Sequence, residues 1–521
     1  MRRGLIATLT ALSALTPMVG RAETAGERAA AALLQQIADS PPALRIFLKP
    51  MPKGGDLHNH LGGSAWAEDY LRWAAEAGLC ASETLDRITP PPCPPERAVR
   101  QLGERDSLAY DRLIDALSTR GWQQGVGAND VAGHSQFFSS FERFGPDSDR
   151  VHGGVMAVAL QNAAGDRVGY VELIHNPPAL ITATLVPDET PLTVEGLAAF
   201  YRREQAAIAP VVDQAIVQLD RTEAAARREM GCDGGKADAG CAVAVRYLAW
   251  GWRDLPPAQA FRSLILAFAL ADRDPRYVGI NIVQPEDWVI ALRDYDLHMA
   301  MIRFLGERYP RVHRTLHAGE LAFGRAPPPA LRDHIRKAID AGAQRIGHGV
   351  AIALEDDALA TMERMAREGV AVEINLTSNA VILGVKGADH PLSLYRKLGV
   401  PVALSTDDEG ILRTDMTQEY ARAVREQGLG YADLKAMARA SLEHAFVAGD
   451  SIWDHGRVGA PVAACAPSLE ATPCKALIAR SAKAKLQWAL EQQYRQFEDV
   501  TVPAQAKMLS GTLEDKSATV P

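Results

Sequence analysis

Four scarcities in this chain each exclude a class of function. It contains no Cys-x-x-Cys, so zinc knuckles and thioredoxin-type chemistry are excluded. Basic charge is not in excess: 56 Lys and Arg against 64 Asp and Glu leave a formal charge of −8, which gives no electrostatic case for nucleic acid or an anionic membrane. Beyond the N-terminus no apolar run is long enough to span a bilayer. An intact phosphate-binding loop is missing as well. Gly234-Gly235-Lys236 imitates the end of one, but Met230 stands where the leading glycine belongs and Ala237 replaces the required Ser or Thr.

What is present is ample material for a core. The 521 residues are 47% apolar and 23% charged, enough for one large barrel with additions or for two or three ordinary domains. Arg2 and Arg3 precede an apolar run, Leu5 to Val19, and Gly20-Arg21-Ala22 offers small residues for cleavage. This reads as a signal peptide over residues 1–22 and predicts a periplasmic or secreted protein, with Sec and twin-arginine export both open. The six cysteines fall into three close pairs, Cys80 with Cys93, Cys232 with Cys241 and Cys465 with Cys474. In an oxidising compartment such pairs read as disulfides.

Residues 23–50 read as an N-terminal helical extension, interrupted at Pro41-Pro42. Strand and helix then alternate across residues 51–490. Strands are expected at Gly55–Leu61, Val168–Ile174, Ala242–Ala249, Val278–Val283, Arg314–Ala318, Arg345–Val350, Val370–Leu376 and Val400–Ser405, with helices between most of them. Residues 81–150 read as a helical insertion after the first strand, and residues 491–521 as a C-terminal tail. Eight strands alternating with helices predict an α/β fold, a closed (β/α)8 TIM-type barrel. An open doubly wound sheet would need a glycine-rich loop after its first strand, and His58-Asn59-His60 occupies that place.

The chemistry lies at strand ends. His58 and His60 are two residues apart on a strand, so both rings face the barrel axis, where their nitrogens can hold one metal. His317 ends a later strand as a third candidate ligand, and Glu320 follows it as a proton carrier. His348, between Gly347 and Gly349, reads as catalytic. Asp407 and Asp408 end the eighth strand. Adjacent carboxylates on a strand point oppositely, so one is expected to bind metal and the other to hold a water or act as base. The remaining nine histidines read as ordinary, and the sequon Asn375-Leu376-Thr377 as a coincidence within a core strand. Nitrogen and oxygen donors without sulfur suit zinc, with other divalent metals open.

Together the motifs resemble the adenosine deaminase family of metal-dependent hydrolases. The segment from Met51 to Leu61 is similar to the secreted, growth-factor-like branch, and His317-Ala-Gly-Glu320, Arg345-Ile-Gly-His348-Gly349, Glu373-Ile-Asn375, Thr377-Ser-Asn379 and Ser405-Thr-Asp407-Asp408 follow in the family's order. The resemblance implies one zinc ion held by His58, His60, His317 and Asp407. It implies that Asp408 and His348 orient and deprotonate a water, and that Glu320 protonates the purine ring nitrogen. The implied reaction is hydrolytic deamination of a 6-aminopurine nucleoside. Gly62 and Gln284 stand at substrate-binding positions and depart from the family pattern, as does Glu409 after the paired aspartates. The expected partner is a small-molecule substrate, without nucleic acid or a membrane anchor, and a homodimer stays open. Two alternatives stay open as well: a related amidohydrolase acting on another C–N bond or an ester, and a secreted nucleoside-binding or growth-factor-like protein.

Overall fold

Eight short parallel strands, consecutive in sequence and in space, make the central sheet. They are β1 (Gly54–His60), β2 (Val168–Ile174), β3 (Ala244–Trp252), β4 (Tyr277–Val283), β5 (His313–Ala318), β6 (Arg345–His348), β7 (Ala371–Ile374) and β8 (Val402–Leu404). The structure is a computed structural model and describes residues 23–122, 132–146 and 149–513. The expected signal segment, residues 1–22, lies outside the described residues. Among the described residues no helix is long and apolar enough to cross a membrane.

Helices cover the outer face of the sheet, so both faces of its strands are buried and the strands read as apolar runs. A parallel bridge between Asn59 and Asp407 joins β1 to the end of β8 and completes the (β/α)8 barrel. Register places the chemistry at one end: His317 lies beside Gly347, and Ala318 beside His348.

Two strands end two residues earlier than expected. The sixth stops at His348, because His348 and Gly349 both take left-handed backbone, φ 67° and 62°. The seventh stops at Ile374, and Leu376–Ile382 is a helix. The run from Val370 to Leu376 is apolar throughout, and such a run does not distinguish strand from the start of a buried helix. The sequon is therefore at a helix start rather than in a strand, and it is buried there.

The chain stays helical across residue 490, where the sequence reading placed the start of a C-terminal tail. Helix Ala482–Gln496 runs through it, and Val502–Leu513 continues the same path. These helices pack on the N-terminal extension. Thr24 and Glu27 form a reciprocal capping box that starts helix Ala25–Ile37. Phe47 of helix Pro41–Leu48 meets Phe497 edge-on at 5.4 Å. Buried Lys435 binds both Glu27 (2.9 Å) and Glu498 (2.5 Å). The first and last described segments of the chain thus pack on each other beside the barrel.

Between β1 and β2 lie helices Ala67–Glu76, Val99–Arg105, Ser107–Ala116, Gly133–Ser140 and Asp149–Gly165. The disulfides pair as expected: Cys80–Cys93, Cys232–Cys241 and Cys465–Cys474.

Phe497 is 2% exposed, so Phe497→Ala should cost about 3–5 kcal/mol of unfolding free energy, the usual penalty for a large core truncation. Denaturant titration measures it; an unmoved midpoint would show that residues beyond 490 are a dispensable tail after all.

Candidate active site

Strand geometry brings the separated motifs to one mouth. His58 Nε2 lies 3.0 Å from His317 Nε2, and His60 Nε2 lies 3.2 Å from the same atom. Asp407 Oδ1 is 3.4 Å from both His58 Nε2 and His60 Nε2. These four donors come from β1, β5 and the turn after β8. Gly347 gives room for this. A Cβ there would sit 2.7 Å from His58 Cε1.

Neighbouring side chains set which ring nitrogens face inward. His58 Nδ1 is 2.7 Å from the Glu373 carboxylate, to which it donates. Asn281 Oδ1 accepts from the backbone N–H groups of Ile282 (2.7 Å) and His317 (3.1 Å), which fixes it as the amide oxygen. His317 Nδ1, 2.8 Å from that oxygen, must then be a donor. His317, which burial keeps neutral, presents a bare Nε2 lone pair to His58 Nε2 at 3.0 Å. Against burial, which lowers it, the hydrogen bonds and charges of Asp407 and Glu373 raise the His58 imidazole to about 10, so these buried donors hold a positive charge between them, and a bound cation would supply it in place of the ring proton. The donor set and its spacing fit a divalent metal held by imidazole and carboxylate, with the second layer of hydrogen bonds such sites carry.

His348 also comes within 4.8 Å of the donors of His58, His317 and Asp407. A relay separates its role. The Leu392 N–H donates to His390 Nδ1 (3.2 Å), so His390 Nε2–H donates to Asn379 Oδ1 (3.0 Å). Asn379 Nδ2 then donates to His348 Nδ1 (2.9 Å). Burial pushes the His348 imidazole down to about 3, so the ring is neutral and its proton sits on Nε2, which is 3.8 Å from Glu320 Oε1. A protonated nitrogen is a hydrogen-bond donor and not a metal ligand.

Glu320 stands on a turn held by a second carboxylate. Glu286 accepts from the N–H groups of Gly319 (3.1 Å) and Glu320 (2.9 Å) and pairs with His334 at 2.5 Å. Burial, then the charges of Asp407 and Glu286, hold the Glu320 carboxyl well above the usual carboxylate range. Burial and the neighbouring Asp407 do the same to Asp408. Asp408 Oδ1 is buried with no partner, and a Cβ on Gly63 would collide with it.

One expectation fails here. Asp407 and Asp408 do not point oppositely; both offer oxygens that lie, with His60, within 4.8 Å of one another. The strand has already ended at Leu404, and Asp407 takes φ 62°, so strand alternation no longer applies. Nor are all nine remaining histidines ordinary, since His334 and His390 buttress Glu286 and Asn379. Nothing in their spacing marks them. Glu373 and Asn379 lie in motif segments, whereas Asn281 and Glu286 have no such signal.

A cavity of about 430 Å³ opens in front of the donors. His60, His317, Glu320, His348, Asp407 and Asp408 line it, as do Gly62 and Gln284. Gln284 has φ 85°, a conformation that costs a residue with a side chain about 1–3 kcal/mol.

The family model for adenosine deaminase matches residues 154–452, more than half of the chain. The chain belongs to the adenosine deaminase family. The matched range excludes His58 and His60, yet the fold sets them against His317 and Asp407, which lie within it. An adenine deaminase of Sinorhizobium fredii is 32% identical over 218 residues, covering 42% of this chain and 61% of the relative. An adenosine deaminase of Salmonella schwarzengrund is 38% identical over 139 residues, covering 26% and 39%. The match to the first of these relatives thus spans about six-tenths of its length. Among solved structures, an amidohydrolase from Burkholderia ambifaria with bound Zn covers 89% of this chain and 95% of its own, at 17% identity and a TM-score of 0.55. That likeness shows the barrel shared by members of this fold.

Loss of the Glu373 bond to His58 should weaken metal binding in this family member. Glu373→Gln is expected to lower metal affinity by about 10–100-fold, read by competition with a chelator. Unchanged affinity would remove Glu373 from the ligand support.

Proposed function

We propose that this protein is a metal-dependent aminohydrolase that removes the 6-amino group of a purine nucleoside as ammonia. The observation that carries this reading is the convergence of the His58, His60 and His317 Nε2 atoms with Asp407 at 3.0–3.4 Å, at the head of a cavity that the buried carboxyl of Glu320 also lines. His58, His60, His317 and Asp407 would hold the ion, and three imidazoles with one carboxylate favour zinc. Bound there, zinc would supply an activated water at neutral pH.

The chain's own residues do the rest. A bound cation would offset the Asp407 charge that, with burial, holds the Asp408 carboxyl up, and Asp408, with a buried oxygen that no donor occupies, would then accept the water's proton. His348, held by the Asn379 relay, donates Nε2–H toward the attacking oxygen and so positions it. Glu320 starts protonated and gives its proton to the ring nitrogen beside the attacked carbon, so the added electron pair does not leave that nitrogen charged. The proton taken up by Asp408 can then reach the amino group, which leaves as ammonia; as the carbonyl forms, the hydroxyl gives up its proton and Glu320 is reprotonated, so the product is a 6-oxopurine and both carboxyl groups return to their starting states. This gives His348 a different part from the deprotonating one implied by the resemblance, because the relay places its proton on the cavity side.

We read the enzyme as working in the periplasm or outside the cell. The Arg2-Arg3 start with its apolar run and the three cystines support that placement.

Zinc-loaded protein should bleach absorbance near the adenine maximum and release ammonia in step. Glu320→Gln should keep metal and fold while kcat falls about 10²–10⁴-fold, the range for loss of a general acid. A variant that still turns over near the wild-type rate would dismiss Glu320 as proton donor. His390→Ala, two hydrogen bonds from His348, should lower kcat about 10-fold at unchanged metal content, as loss of an orienting partner does; equal loss of bound metal would mean that His390 merely supports the fold.

A further inference from the structure

The cavity is larger and differently lined than a free base requires. At about 430 Å³ it falls in the range of pockets that enclose a whole small molecule with a base and a substituent. Its outer wall is aromatic: Phe137 and Phe138 come from the insertion, Trp250 and Trp252 from the end of β3, and Trp288 follows β4. Among the described residues no Lys or Arg lines it, while Asp254 and the exposed Glu142 add carboxylates to those of the metal end.

Asp254 stands out among these. Its Oδ1 is buried and has no hydrogen-bond partner. A structural duty is available, since helix Pro257–Arg273 starts three residues on. Yet the cap of that helix is Pro256, with no side-chain capping bond. The adjacent Arg253 attracts the Asp254 carboxylate but gives it no hydrogen bond; it donates to the backbone oxygens of His317 (2.7 Å) and Ile282 (3.3 Å) and pairs with Glu286 at 3.5 Å. Burial raises the Asp254 carboxyl above its ordinary value. A buried acceptor without a donor costs about 1–3 kcal/mol, so it is kept where something else supplies the donor. Gly62, in the same cavity, has no side chain to offer, and a Cβ there would meet nothing within 4 Å.

We infer that Asp254 is a specificity-determining residue whose carboxylate accepts hydrogen bonds from the sugar hydroxyls of an unphosphorylated aminopurine nucleoside. The inference rests on the deaminase reading above and deepens it. With the purine at the metal end, its substituent reaches toward the aromatic wall. Hydroxyl donors satisfy Asp254. A phosphate would meet carboxylates without a cation to balance it, so nucleotides are rejected.

The test compares kcat/KM for adenine, adenosine and adenosine 5′-monophosphate in zinc-loaded wild type and in Asp254→Asn and Asp254→Ala, with metal content measured in each. Wild type should prefer adenosine to both others. The adenosine-to-adenine ratio should fall about 10–100-fold in each variant, mostly through the KM for adenosine, as expected for loss of a charge-assisted hydrogen bond to a substituent far from the reacting atoms. Asp254→Asn preserves shape, so it separates a lost acceptor from a disturbed fold. A ratio unmoved in both variants, or wild type that uses the monophosphate as well as the nucleoside, overturns the assignment of Asp254 alone. Wild type that releases ammonia from none of the three overturns the deaminase reading and this inference with it.

Discussion

Two backbone hydrogen bonds between the first strand and the turn after the last hold the mouth of this barrel together. The His60 N–H donates to the Asp407 carbonyl at 2.9 Å, and the Asp407 N–H to the His58 carbonyl at 2.9 Å. The residues that close the barrel are therefore those that converge on the candidate metal site. Closure and ligand geometry cannot be adjusted separately. Asp407 takes a left-handed backbone to make this joint, and His348 and Gln284 do the same at other strand ends facing the cavity. Each such residue costs about 1–3 kcal/mol, which a surrounding structure can hold only when it over-determines the conformation.

Beneath the mouth the barrel interior is charged as well as apolar. Glu373, which receives His58 Nδ1–H, also binds Arg345 Nε at 2.5 Å and Thr315 Oγ1 at 2.7 Å. Arg345 continues to Glu172 at 2.5 Å, donates to the His444 carbonyl at 2.9 Å and covers the Phe446 ring. A parallel arrangement serves the other seam, where Asp56 binds Thr406 at 2.5 Å and Asn59 binds Thr406 at 2.9 Å. Buried ion pairs are weak sources of net stability, because desolvation offsets their attraction, but removing one partner is costly. Their value here is orientation: a carboxylate held on three sides can fix one imidazole and its tautomer.

The legible parts of the molecule were those written in local patterns. The strands carrying His58, His317 and Arg345 end where apolar alternation gives way to polar and glycine residues, and the structure puts β1, β5 and β6 there. Helix Ala25–Ile37 ends ahead of Pro41-Pro42, the break read in the sequence, and that pair opens helix Pro41–Leu48. Less legible were places where two elements meet. Leu376 continues an apolar run but starts a helix, because strand and buried helix look alike over a few residues. The insertion read as decoration, yet Phe137 and Phe138 form part of the cavity wall. Its aromatic residues carry no sign, within their own segment, of which surface they will face.

Residue types and their order along the chain, by themselves, determined an eight-strand alternating barrel, a His/Asp donor set at its strand ends and three cysteine pairs. These depend on periodicity, spacing and side-chain chemistry, all of which act within a few residues. Tertiary structure alone decided which nitrogen each histidine presents, that Asp407 and Asp408 converge, and that Phe497 packs on the N-terminal helix Pro41–Leu48. Those outcomes depend on contacts between distant segments, such as His58 with Glu373, His348 with Asn379 and Phe47 with Phe497. A tautomer is chosen by the partner that the fold delivers, and no local pattern in the sequence encodes that partner.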